Sequence, residues 1–146
     1  MSPMDKIIID GLSVNYSDGT ESLREINLRI PANQITVLFG PAGGGKSTLL
    51  RTLNRLNDLA DVQHAQGRVL LDGVDIMAKQ ADVLGLRRKV GMVFARPVVL
   101  PFSIRRNVLF GLELAGERDP AALAQTLQES LQQAVLWDEV KERLDD

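Results

Sequence analysis

Nine residues constrain this chain more than any other stretch: Gly40-Pro41-Ala42-Gly43-Gly44-Gly45-Lys46-Ser47-Thr48. An apolar run, Ile35-Thr36-Val37-Leu38-Phe39, leads into them, and Leu49, Leu50, Leu53 and Leu56 follow at helical spacing. The pattern is G-x-x-x-x-G-K-[ST], the phosphate-binding loop or Walker A motif, with its required strand before and helix after. The residue types suit the chemistry. Glycines let the backbone turn tightly and bring its N–H groups up to phosphate oxygens with no Cβ in the way. A helix starting near Lys46 points its N-terminal dipole and unpaired N–H groups at the anion. Lys46 offers a point charge to the β- and γ-phosphates, and the Ser47 hydroxyl is the oxygen ligand a hard Mg²⁺ ion prefers. The bland alternative, a glycine-rich turn with a solvated lysine, leaves that context unexplained. A nucleotide site built from Gly40 to Thr48 is therefore expected.

Composition narrows the class. At 146 residues, 45% of them hydrophobic, the chain has the length of about one domain and enough apolar side chains for a core. A net charge of −2 gives no basic footprint for nucleic acid. There is no cysteine, hence no disulfide framework and no thiolate metal site. The start, Met1-Ser2-Pro3-Met4-Asp5-Lys6, is followed by three isoleucines and then Asp10, which is not the form of a signal peptide. No run approaches the roughly 18 apolar residues of a membrane span, so any membrane association is expected to go through a partner.

Along the chain, residues 6–16 read as a strand and Ser17-Asp18-Gly19-Thr20 as a turn. Residues 23–30 alternate, with Ile26, Leu28 and Ile30 on one face, and predict a half-buried strand antiparallel to the first. Pro31-Ala32-Asn33 ends it. The continuous run 35–39 predicts a strand buried on both faces, followed by a helix over about 46–56. Residues 57–66 read as a polar connection. Strands 68–71 and 74–76 flank Asp72-Gly73, a two-residue hairpin signal. A short helix over 82–88, a buried strand over 90–94 and a proline-bearing loop over 95–102 follow. Ser103 reads as the N-cap of a helix to about Leu114. Asp119-Pro120 reads as the start of another, with Leu123, Leu127 and Leu131 on one face to about Leu136. Residues 137–144 read as a last amphipathic helix.

Other conspicuous residues carry ordinary readings. His64, the sole histidine, reads as solvated, because a metal site needs several convergent ligands. Arg87-Arg88-Lys89 and Arg105-Arg106 read as solvated surface, and Trp137 as core. Tyr16, an aromatic at a strand end, is open to base stacking or to packing, with packing favoured from position alone.

With these motifs in hand the chain resembles the ATP-binding subunit of ABC transporters, from about Lys6 to its last residue. Tyr16 matches the aromatic that stacks on adenine in that family, which raises the stacking reading. Gly40 to Thr48 match its Walker A motif, residues 68–76 its hairpin, and Val90-Gly91-Met92-Val93-Phe94 the lead into its Q-loop. Within the family the likeness is to ATPases of bacterial phosphate importers. It is carried by residues 49–59, by Val93-Phe94-Ala95-Arg96-Pro97 with Pro101-Phe102-Ser103-Ile104, and by residues 134–141. The fold implied is α/β: a P-loop NTPase core, represented by its N-terminal part, with an antiparallel β-subdomain and the start of a helical subdomain. Residues 1–34 and 67–77 would supply the β-subdomain, 35–56 and 90–94 the core, and 103–146 the helical region. The cofactors implied are ATP and Mg²⁺, the latter on Ser47. The partners implied are transmembrane permease subunits and a second ATPase subunit, not nucleic acid. The implied location is cytoplasmic, peripheral on the inner face of the plasma membrane, with residues 95–102 and the following helix contacting the permease. The apolar Val98-Val99-Leu100 there is equally open to a core reading.

Two departures bear on mechanism. Ala95 stands where the family has a glutamine whose amide helps hold Mg²⁺ and the attacking water; a methyl has no hydrogen-bonding atom for either role. The family's signature motif, Walker B acids and switch histidine are also not found within residues 1–146, so no catalytic set is complete here. Three functions follow in order. The first is an ABC importer ATPase represented by its N-terminal part, which binds nucleotide here without hydrolysing it at a useful rate. The second is a non-catalytic nucleotide-binding remnant or interaction module completed by another chain. The third is a soluble ABC ATPase acting on DNA or ribosomes, which the importer-like segments disfavour. The family's later strands flank the P-loop strand; without them, residues 35–39 are expected to show unpaired backbone groups and apolar side chains, giving marginal stability.

Overall fold

The computed structural model describes residues 5–96 and 98–146. Residues 1–4 and Pro97, and with them part of the signal-peptide reading and of the 95–102 loop, lie outside the described residues. Two compact units form, one within Met1–Met92 and one within Val93–Asp146.

The first unit is organised by β1 (Asp5–Tyr16). It pairs antiparallel with β2 (Glu21–Pro31) on one side and with β3 (Val62–Leu71) on the other; β4 (Val74–Asp75) closes a short hairpin on β3. Ile9 and Leu12 are an odd number of residues apart, so a regular strand would aim them at opposite faces. The register shifts between them, and this bulge brings both into the core at 1% and 0% exposure. Val14, Leu23, Val69 and Ile76 join them. Leu49 of α1 (Lys46–Leu53) and Leu86 of α2 (Val83–Lys89) cover that face. Each such side chain stabilises the unit by about 1.5–3 kcal/mol. The turn between β1 and β2 is fastened by Asp18, whose carboxylate accepts the Thr20 N–H at 2.8 Å. That bond holds the Asp18 carboxyl below its ordinary range.

Several expectations change here. The helix expected over 46–56 stops at Leu53. Arg55 takes a left-handed backbone (φ 60), and a 3₁₀ turn follows over Leu56–Leu59. The cause is tertiary: Arg87 of α2 donates to the carbonyls of Asn54 (3.3 Å) and Arg55 (2.7 Å) at the helix end. Arg87 is thus not the solvated cation expected, although Arg88 and Lys89 are exposed. The polar stretch 57–66 is not all connection. From Val62 it is strand, because β1 offers an edge as far as Tyr16, which pairs with Val62. His64 lies on that strand, exposed, as its solvated reading requires. The strands expected over 35–39 and 90–94 do not form. Neither run has ladder partners among the described residues. Ile35, Phe39 and Val93 are 95%, 91% and 98% exposed, which contradicts burial on both faces and meets the expectation of bare apolar side chains. A strand of this kind is stabilised only by lateral neighbours.

The second unit is helical: α3 (Ile104–Leu114), α4 (Pro120–Gln133) and α5 (Trp137–Val140). Ser103 and Asp119 cap α3 and α4 as their sequence positions require, accepting from the N–H groups of Arg106 and Ala121. Leu109, Leu127, Leu131 and Val140 make the core, and Trp137 packs against it. The expected helix over 137–144 is shorter, ending at Val140; residues beyond it turn back so that the carbonyls of Leu144 and Asp146 accept from the N–H groups of Arg105 and Ile104. Arg105 pairs with Asp145 at 2.7 Å, and the Arg106 guanidinium lies 4.0 Å from the Phe102 ring centre, so neither is simply solvated. Asn107 holds the end of the preceding loop. Its Oδ1 accepts the Leu100 N–H at 2.9 Å and its Nδ2 donates to the carbonyls of Leu100 and Phe102.

Candidate phosphate-binding site

The loop 40–45 connects the exposed run 35–39 to α1. The first helical bond runs from the Leu49 N–H to the Gly45 carbonyl at 2.9 Å, so the N–H groups of Lys46, Ser47 and Thr48 are unclaimed by the helix. They are the donors that a helix N-terminus offers an anion. Gly45 carries the geometry. It sits at φ 78, and a Cβ there would lie 2.4 Å from the Ser22 carbonyl oxygen and 2.7 Å from a Leu23 methyl. The loop can lie against β2 only because this residue has no side chain.

The concavity formed has a volume of about 400 Å³ and is lined by Ser22 and by residues 42–48. Lys46 folds across it, its ammonium donating to the carbonyls of Gly40 (2.9 Å) and Pro41. Ser47 is exposed beside it. Thr48 is buried at 6% exposure, and its hydroxyl meets two others: Tyr16 Oη at 3.0 Å and Ser22 Oγ at 2.8 Å. Tyr16, at the end of β1, is thereby brought to the first turn of α1. Behind the helix, Asn57 (7% exposed) donates from Nδ2 to the Thr48 carbonyl at 2.9 Å and to the Thr52 hydroxyl at 2.7 Å. Because Thr52 already donates to that same carbonyl, the amide orientation is fixed by the network.

Of the residues expected from the sequence, 42–48 line this concavity, Gly40 and Pro41 meet it through the Lys46 ammonium, and Tyr16 through the Thr48 hydroxyl. Ala95 belongs to the second unit and is exposed. Val98 and Val99 are 80% and 72% exposed, against their core reading. Sequence reasoning missed Ser22, Asn57 and Arg87. Ser22 and Asn57 reach the loop and its helix only through the sheet and the 3₁₀ turn, and no local pattern announces either.

The ABC transporter family profile matches residues 23–146. The phosphate import ATP-binding protein PstB of Pseudoalteromonas translucida (strain TAC 125) is 49% identical over 138 residues, 94% of this chain and 50% of that protein. The protein of that name from Idiomarina loihiensis is 46% identical over 136 residues, 93% of this chain and 50% of its own. Among solved structures, a bacterial Atm1-family ABC exporter with ATP bound matches with a TM-score of 0.77 at 26% identity, over 97% of this chain and 23% of that one. The cbiO1 protein of Clostridium perfringens, part of the ABC transporter complex cbiONQ, matches with a TM-score of 0.75 at 26% identity, over 97% and 53%. The chain spans about half the length of the curated relatives it matches. With the family profile matching residues 23–146 and relatives 46–49% identical over nearly its whole length, the chain belongs to the ABC transporter family, as part of the ATP-binding domain.

Proposed function

We propose that the chain is the nucleotide-binding part of an ABC importer ATPase that serves phosphate uptake. The carrying observation is the loop seat at Gly45, with the N–H groups of residues 46–48 and the Lys46 ammonium around one concavity. The residues fit Mg·ATP. Backbone N–H groups hold the phosphates, and the two carbonyl oxygens now paired with Lys46 give way to charged phosphate oxygens, which are stronger acceptors. The exposed Ser47 hydroxyl would hold Mg²⁺, whose charge, when bound, offsets that of the phosphates. The Tyr16 ring, tethered to the first turn of α1 through its hydroxyl, would serve as the base platform. The phosphate class is supported by the names of the relatives above.

The wider role follows the family: a second ATPase subunit and membrane permease subunits as partners, on the cytoplasmic face of the membrane. No helix among the described residues is long and apolar enough to cross a membrane, so contact through a permease suits the chain. The exposed Val98 and Val99 suit that contact. A second reading, a module that binds nucleotide without turning it over, is favoured by Ala95, whose methyl can position neither metal nor water. Both readings predict saturable Mg·ATP binding by the 146-residue chain, lost in Lys46→Ala, without sustained phosphate release. Absence of binding would sink both. Sustained release that Lys46→Ala abolishes would overturn the non-hydrolytic reading.

A further inference from the structure

Three hydroxyls from three separate elements meet at the loop. Tyr16 comes from the end of β1, Ser22 from the start of β2, and Thr48 from the first turn of α1. Thr48 Oγ1 lies 3.0 Å from Tyr16 Oη and 2.8 Å from Ser22 Oγ. Each hydroxyl has one proton and two lone pairs. The chain has two links and therefore uses two of its three protons. When Tyr16 and Ser22 both donate to Thr48, the Thr48 proton is left over. When Tyr16 donates to Thr48 and Thr48 to Ser22, the Ser22 proton is left over; when Ser22 donates to Thr48 and Thr48 to Tyr16, the Tyr16 proton is left over. Both Thr48 and Ser22 line the concavity of the loop. An anion seated there draws the spare proton toward itself, and each hydroxyl in the chain then polarises the next. Ser22 also supplies the carbonyl that Gly45 packs against, so its backbone and its side chain both meet the loop.

We infer that Ser22 is a further residue of the phosphate site, acting with Tyr16 through Thr48 as a hydroxyl chain that presents one donor to a bound polyphosphate. The inference rests on the nucleotide-binding reading above and adds to it a residue outside the Walker motif. Tyr16 acquires a second role, distinct from stacking: its hydroxyl positions Thr48. The ligand class is a polyphosphate, with or without a base.

The test uses the full chain with two probes, Mg·ATP and Mg·tripolyphosphate, measured by calorimetry. Ser22→Ala removes the more open of the two hydroxyls that line the concavity and leaves the spare proton only on buried Thr48, so it is expected to weaken both by the same factor, roughly three- to tenfold, the usual effect of one lost hydrogen bond. Ser22→Thr, which keeps the hydroxyl, is expected to bind within about twofold of the parent. Tyr16→Phe keeps the ring and loses the link, and is expected to weaken tripolyphosphate as much as ATP. Unchanged affinities in Ser22→Ala overturn the inference. So does a lowered melting temperature without ligand while both affinities stay the same, since that marks a brace and nothing more. If the parent chain binds neither probe, the nucleotide-binding reading itself fails, a result distinct from either of these.

Discussion

Replacing Gly45 by alanine tests how the loop is seated. The new Cβ would sit 2.4 Å from the Ser22 carbonyl oxygen, where ordinary contact begins at 3.4 Å, so loop or strand must move by about 1 Å. The obstacle is backbone and cannot rotate away. Overpacking of this kind costs about 1–3 kcal/mol. The left-handed backbone at φ 78 adds about 1–2 kcal/mol for any residue with a Cβ. Gly43→Ala is the matched control. Its φ is 75, but its Cβ would meet nothing within 4 Å, so only the backbone cost applies. The difference between the two variants is therefore about 1–3 kcal/mol, or roughly 5- to 150-fold in a local opening equilibrium. Hydrogen exchange at Leu12 and Val14, buried in β1, reads the first unit alone. Gly45→Ala should lower their protection by that extra factor relative to Gly43→Ala. Equal protection in the two variants would refute the claim that β2 dictates glycine at this position.

Other substitutions probe the remaining supports. Arg87→Ala removes both donors to the Asn54 and Arg55 carbonyls and should destabilise the end of α1 by about 1–3 kcal/mol, read as faster amide exchange over residues 49–55. Arg87→Lys should recover little, because a single ammonium does not reproduce the planar fork. Asp119→Ala should cost about 1 kcal/mol in the second unit, measured by thermal unfolding followed through Trp137, the sole tryptophan. The Arg105–Asp145 pair gives a pH test. Hydrogen bonding to Arg105 holds the Asp145 carboxyl below its ordinary 3.8, so the pair's contribution is present above that value and is lost as pH falls through the depressed one. Asp145→Asn should lack that acid-side loss at the α3 N-terminus. An identical acid profile in parent and variant would contradict the assignment.

Local chemistry was legible. The Ser103 and Asp119 caps, the Asp72-Gly73 hairpin and the Leu127/Leu131 stripe each depend on neighbours a few residues apart, and each stands where the sequence puts it. What the sequence hid depends on distant partners. Residues 62–66 are strand because β1 presents an edge, not because of their own polar composition. The run 35–39 has the composition of a buried strand, yet no neighbouring strand pairs with it among the described residues. Arg87 sits in a basic triplet that looks solvated, yet it ends a helix more than thirty residues away in sequence, at a separation of 33 and 32. Ser22 is a small polar residue at the start of a strand, and only the turn over 17–20 and the packing of α1 bring it to Thr48.

The central claim is that Gly40 to Thr48 hold a nucleotide through the backbone of the loop and the first turn of α1. Hydrogen exchange of the 146-residue chain with and without Mg·ATP tests it most directly, because it reads those amides themselves. Protection should rise at residues 43–48 on adding Mg·ATP, and the rise should vanish in Lys46→Ala. Unchanged exchange at these amides, or protection that survives Lys46→Ala, would contradict the account.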